Sequence, residues 1–145
     1  MFDHILIVCT GNICRSPIAA AMFRKRLPER HFDSAGLSAL VGQGVEPKAL
    51  QLAQADDLDV AGHQARQLNG DMLTNADLVL VMSDGQRREI GSRWPEMLGK
   101  TMRLGQWLEG GTGRDIPDPY RKSHEVFNHV HQLLLQATDG WASRL

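Results

Sequence analysis

The feature that most constrains this chain is the run HILIVC, His4–Cys9, together with the way it ends. The run is aliphatic and β-branched with no polar alternation, the pattern of a strand buried on both faces of a parallel sheet. It stops at Gly11-Asn12, two residue types that tolerate left-handed backbone. Ser16-Pro17 follows, and serine is a preferred N-cap while proline is a preferred first helical residue. The spacing therefore predicts a helix over SPIAAAMFRKRL, Ser16–Leu27, capped by Ser16. Arg24, Lys25 and Arg26 fall at its far end, where the helix dipole favours cations. A buried strand that feeds a helix through a short turn has to cross over to a parallel neighbour.

The remaining pattern supplies those neighbours. HFDSAG (His31–Gly36), ADLVLVM (Ala76–Met82) and KTMRLGQW (Lys100–Trp107) read as further strands, and Glu46–Leu58 and Gly85–Arg93 as helices. A glycine-rich loop, EGGTGRDIPDPYRK, leads to a C-terminal helix in which Val126, Val130, Leu133, Leu134, Ala137 and Trp141 share one face. The expected fold is α/β: a four-stranded parallel sheet flanked by helices on both faces, in one domain over residues 1–145. A chain of this length builds a sufficient core without a disulfide or a structural metal. In such sheets ligands bind beyond the carboxyl ends of the strands, and Cys9 stands at one.

Charge narrows the function. The formal net charge is −1, so there is no global field for nucleic acid or an anionic membrane, and anion binding has to come from a local site. Asp3 and a short apolar run do not make a secretory signal, and no segment approaches the ~20 apolar residues of a membrane span. Residence in the cytoplasm is expected, where the two cysteines, Cys9 and Cys14, are not a structural disulfide.

Both cysteines lie in CTGNICRSP. A loop that joins a strand end to a helix start can converge its backbone N–H groups from Thr10, Gly11, Asn12, Ile13 and Cys14 onto an anion. Arg15 adds a planar fork that holds two phosphate oxygens. Cys9 lies beneath that cradle, in surroundings that favour a thiolate, and Ser16 can donate to its sulfur. A thiolate under a bound phosphate is arranged for in-line attack and a phosphocysteine intermediate. A general acid is then needed for the leaving oxygen. DIPDPYRK offers two, Asp118 between prolines 117 and 119 and beside Tyr120, and Asp115 three residues earlier, and spacing does not choose between them.

Other readings are weaker. Cys-x4-Cys has no second ligand pair downstream, so no metal is expected there. His129 and His131 are two apart on a helix and point different ways. The tryptophans read as packing residues, and Arg87-Arg88 as a solvated face.

VCTGNICRSP resembles the signature of the low-molecular-weight protein tyrosine phosphatases, V-C-x-G-N-x-C-R-S-P, and DPY resembles that family's second signature. DSAG, HQARQL and ADLVLVM extend the resemblance over essentially the whole chain. It implies Cys9 as nucleophile, Arg15 as phosphate and transition-state binder, and Asp118 as general acid and base. It also implies that Asn12 shapes the loop through Ser34 and His63, that Ser16 stabilises the thiolate, and that Cys14 can form a reversible protective disulfide with Cys9. No cofactor is implied. Where many members carry an aromatic on the cleft wall, Leu40 stands here beside Tyr120, and Arg121 follows the DPY motif in place of a second aromatic. These features are similar to the bacterial subgroup associated with exopolysaccharide or capsule export, whose members act on the tyrosine-rich tail of a membrane-bound tyrosine kinase.

Three alternatives share parts of this pattern. Thioredoxin-coupled arsenate reductases need further cysteines, and none follows Cys14. A phosphocysteine carrier of sugar transport should lack the hydrolytic pair Arg15 and Asp118. A non-catalytic phosphotyrosine-binding module should have lost nucleophile or acid.

Overall fold

The computed structural model describes residues 2–145. Four strands, β1 (His4–Cys9), β2 (His31–Gly36), β3 (Leu78–Val81) and β4 (Thr101–Arg103), form one parallel sheet in the order β2-β1-β3-β4. The first two strands have the predicted bounds. Alternation along the strands divides the core between two layers. Ile5, Ile7, Leu78 and Leu80 face a cluster with α1 (Ser16–Arg26) and α5 (His124–Ala142). Leu6, Val8, Val79 and Val81 face the other cluster, with Leu73 of α3 (Gly70–Asn75) and Ile90 of α4 (Asp84–Arg93). Helices thus cover both faces, which is why these strands read as unbroken apolar runs.

α1 is buried from Ser16 through Phe23, and only its basic end reaches solvent. α2 (Pro47–Ala55) starts on Glu46, whose carboxylate accepts from Lys48 N at 3.2 Å, and stops before Asp57, at φ 55°. Leu58 therefore lies beyond the helix, although its side chain is still buried. On α5, Val130, Leu133, Leu134, Ala137 and Trp141 are buried as expected, with Val126 at the edge. His129 is exposed, whereas His131 is buried against Asp56, 2.6 Å away.

Two expectations need correction. The fourth strand ends at Arg103, and Leu104–Trp107 turns into a 3-10 segment. The cause is Gly105, whose carbonyl accepts from Arg114 N at 3.1 Å, so the chain bonds the loop ahead of α5 instead of extending the sheet. Arg87 is not simply solvated: its Nε donates to Thr101 O at 2.7 Å, while Arg88 pairs with Asp84 on the surface. α3 escaped the sequence reading altogether. It is capped by Asn69, which accepts from Met72 N at 2.9 Å.

Candidate active site

β1 sits between β2 and β3, so the connections on its two sides leave in opposite directions and open a crevice at its carboxyl end. Residues 10–15 fill that crevice. The carbonyls of residues 9–13 are all held from outside. Leu37 N bonds Cys9 O at 2.9 Å, Ser38 N bonds Thr10 O at 2.9 Å, Leu40 N bonds Gly11 O at 3.0 Å, and Glu46 N bonds Ile13 O at 2.9 Å. His63 Nε2 lies 2.6 Å from Asn12 O, and since a carbonyl only accepts, that nitrogen carries the proton. In a trans peptide the N–H points opposite to the C=O. Outward carbonyls therefore turn the N–H groups of Thr10, Gly11, Asn12, Ile13 and Cys14 inward, and Asn12 N indeed donates to Cys9 Sγ at 3.3 Å.

The left-handed residue of the loop is Asn12, at φ 59°, and not Gly11. Asn12 is fully buried and tied on three sides. Its Nδ2 donates to Ser16 Oγ at 2.7 Å and Ser34 Oγ at 3.0 Å, and its Oδ1 accepts from Arg66 N at 2.9 Å. Ser16 is the first residue of α1 rather than its cap; the cap position belongs to Arg15 and has no side-chain cap bond. The serine hydroxyl is instead engaged with Cys9 Sγ at 2.9 Å, and accepting from Asn12 leaves its hydrogen free to point at the sulfur. Two donors, the Ser16 hydroxyl and Asn12 N, thus converge on Cys9 Sγ.

Arg15 is 4% exposed. Its Nη1 donates to Ile116 O at 2.7 Å and its Nη2 to Thr10 Oγ1 at 3.4 Å, while Nε is buried with no partner. A buried N–H without an acceptor is costly, so the cradle is built to receive one. Across the cleft Asp118 Oδ2 stands 3.7 Å from Arg15 Nη2, and Asp118 Oδ1 accepts from Tyr120 N at 3.1 Å. Asp115 is committed elsewhere, accepting from Asp84 N at 3.0 Å at the start of α4 and from Arg103 Nη1 at 3.2 Å. The cleft holds about 120 Å³ above Cys9, with Leu40 and Tyr120 on its walls and Asp118 at its rim. Cys14 shares that cleft. Burial, and then the negative charges of Cys9, Asp118 and Glu46, push its thiol up to about 12, so it stays neutral.

The structure lines the cleft with Cys9, Thr10, Gly11, Ile13, Cys14, Arg15, Leu40, Asp118 and Tyr120. It sets Asn12, Ser16, Ser34 and His63 behind the loop as its hydrogen-bonded support, and adds three further supports. Arg66 and Gln86 act through hydrogen bonds, Gln86 Nε2 reaching Thr10 Oγ1 at 3.2 Å. Gly36 acts by having no side chain: a Cβ there would lie 2.5 Å from Thr10 O and 3.1 Å from Asn12 N. Its pairing with Cys9 in the sheet register is the only signal that places it here. Gly36→Ala is expected to push the loop off its support, destabilising the fold by about 1–3 kcal/mol and weakening phosphate binding. Thermal melting and phosphate titration check this; wild-type values for both would show that the loop does not depend on that contact.

Comparison with known proteins places these features in context. Residues 4–145 match the family described as low molecular weight phosphotyrosine protein phosphatase. The chain is 44% identical to the low molecular weight protein-tyrosine-phosphatase Etp of Escherichia coli K12, over 99% of this chain and 95% of Etp. Among solved structures it superposes on the tyrosine phosphatase Wzb of Escherichia coli K30 bound to sulphate, with TM-score 0.94, 42% identity and 99% of each chain covered. It also superposes on Vibrio vulnificus Wzb bound to benzylphosphonate, with TM-score 0.95, 40% identity and 100% of each chain covered.

Proposed function

The chain belongs to the low molecular weight phosphotyrosine protein phosphatases, and from that premise we propose that it hydrolyses phosphotyrosine through a phosphocysteine intermediate on Cys9. The observation that carries this reading is the buried Arg15, with its unpartnered Nε, beside a sulfur that receives two hydrogen-bond donors. The phosphate dianion enters the ring of inward N–H groups, and Arg15 offers its unpartnered Nε to it. Cys9 Sγ attacks phosphorus in line, the P–S bond forming as the bond to the tyrosyl oxygen breaks, and Asp118 gives that oxygen its proton. Asp118, now a carboxylate, takes a proton from water as the water attacks phosphorus. The P–S bond breaks, the thiolate is restored and inorganic phosphate leaves. The equatorial oxygens gain most from the N–H ring and Arg15 in the transition state. Asn12, Ser16, Ser34 and His63 hold the ring in shape, and Cys14, in the same cleft, is the thiol placed to condense with a Cys9 sulfenic acid, forming the S–S bond and releasing water.

Leu40 and Tyr120 suit an aromatic ring inserted edge-on to the loop, and one similar structure holds benzylphosphonate. The substrate proposed is a phosphotyrosine protein in the cytoplasm, the tyrosine-rich tail of a membrane tyrosine kinase that controls exopolysaccharide or capsule production. The likeness to Etp and Wzb supports that choice, and no helix among the described residues is long and apolar enough to cross a membrane.

Phosphate release from matched phosphotyrosine and phosphoserine peptides, without metal and under reducing conditions, tests the reading. Release from phosphotyrosine alone is expected. No release from either peptide would favour a binding module or a phosphocysteine carrier.

A further inference from the structure

At the opposite end of β1, about 17 Å along the strand from Cys9 at ~3.3 Å per residue, the sheet assembles a second constellation. His4 and His31 open β1 and β2 and are direct partners in the sheet register. Their rings stack with centroids 4.6 Å apart. Asp3 stands between them, its Oδ2 lying 3.6 Å from His4 Nε2 and 3.6 Å from His31 Nδ1. All three donor atoms fall within 4.8 Å of one another.

The backbone that carries them is fixed. His31 N donates to Asp3 O at 2.9 Å, and Asp77 Oδ2 accepts from both Asp3 N and His4 N at 2.9 Å. The side chains themselves are more than half exposed, so they can turn without disturbing the core. We propose that Asp3, His4 and His31 bind a divalent transition-metal ion of the zinc class, with one carboxylate oxygen, two imidazole nitrogens and water as its ligands.

The donor set suits that ion: neutral imidazole and carboxylate are zinc ligands, at about 2.0–2.2 Å. Tetrahedral ligands at such distances lie roughly 3.3 Å apart, so the two 3.6 Å separations need only a small closure. Rotation of the exposed rings out of their stack brings the third edge of the triangle in. The bound ion would link β1 to β2 across their first residue pair and stabilise the sheet from the pole opposite the phosphatase cleft. Nothing in local spacing announces this site, because His31 reaches Asp3 and His4 only through strand pairing.

Zinc titration of the wild-type chain and of His31→Gln tests the proposal, with histidine ring signals followed by NMR. In the wild type zinc should shift or broaden the His4 and His31 signals and spare the other histidines. At a hundredfold excess over Kd it should raise the melting temperature by about 5–10 °C. His31→Gln should bind at least about tenfold more weakly and lose the melting shift, with phosphatase turnover unchanged. Asp3→Asn, which keeps both imidazoles, should weaken binding in the same direction and serves as the control if His31→Gln folds poorly. Equal binding by wild type and both variants, accompanied by loss of turnover, would put the metal on Cys9 and overturn the proposal. Absence of any effect of zinc on the His4 and His31 signals would overturn it as well.

Discussion

Cys9→Ser is expected to abolish turnover, on the order of 10⁶-fold as for other nucleophiles that act as one unit with their site, while inorganic phosphate still binds. A serine oxygen fits where the sulfur sits, and the donors aimed at that position, Ser16 Oγ and Asn12 N, remain. The hydroxyl does not ionise as a thiol does, so attack on phosphorus fails although the cradle is whole. Nothing in the substitution touches the outward bonds of the loop carbonyls or the contacts of Arg15 with Ile116 O and Thr10 Oγ1. Phosphate affinity, read by calorimetry, should therefore stay at or above the wild-type value. Turnover within tenfold of wild type would contradict the role given to Cys9, and lost phosphate binding would mean that the variant reports on folding of the loop.

Asp118→Asn is expected to slow release of ordinary phenols by ~10²–10⁴, the range for a lost general acid. Asparagine keeps the oxygen that accepts from Tyr120 N, so the turn at residues 118–120 survives and only the proton is lost. The loss in the phosphorylation step, read as kcat/KM, should shrink as the leaving group improves. For dinitrophenyl phosphate, whose phenolate departs without protonation, kcat/KM should approach the wild-type value, while kcat stays slowed because hydrolysis of the phosphocysteine still lacks its base. Equal losses of kcat/KM across a series of aryl phosphates would contradict the general-acid assignment. Asp115 offers the contrast: tied to Asp84 N and Arg103, it is expected to act on the start of α4 and not on the leaving group.

How much of this was legible in the sequence follows from the range of the interactions. β1 and β2 were readable to the residue because both are short apolar or small-residue runs closed by turns, and the face of α5 because its period is sustained over many turns. The loop residues were readable because they are contiguous and their chemistry is local. α3 was not: six residues carry too little periodicity, and a helix that short is held by its Asn69 cap and the packing of Leu73. The extra strand length assigned after Arg103 failed because a long-range bond between Gly105 and Arg114 outcompetes the ladder. Ser16 was misplaced as a cap because the same hydroxyl has a stronger claim on it, from Cys9 and Asn12. Gly36, Arg66 and Gln86 act across 24, 54 and 76 or more residues of chain; Gly36 and Arg66 stand in DSAG and HQARQL, but what each of the three touches is visible only in the folded chain. Spacing left Asp118 and Asp115 open and the resemblance of DPY implied Asp118; in the folded chain Asp118 stands beside Arg15 while Asp115 bonds Asp84 N and Arg103.

The central claim is that phosphate passes through sulfur, and rapid acid quenching of the enzyme during turnover of an aryl phosphate, followed by peptide mass analysis, tests it most directly. The account predicts one phosphoryl group on the peptide that carries Cys9, accumulating early and decaying as inorganic phosphate appears. A phosphoryl group on a peptide that lacks Cys9, or continued phosphate release by Asp118→Asn with no phosphoenzyme trapped on Cys9, would contradict it.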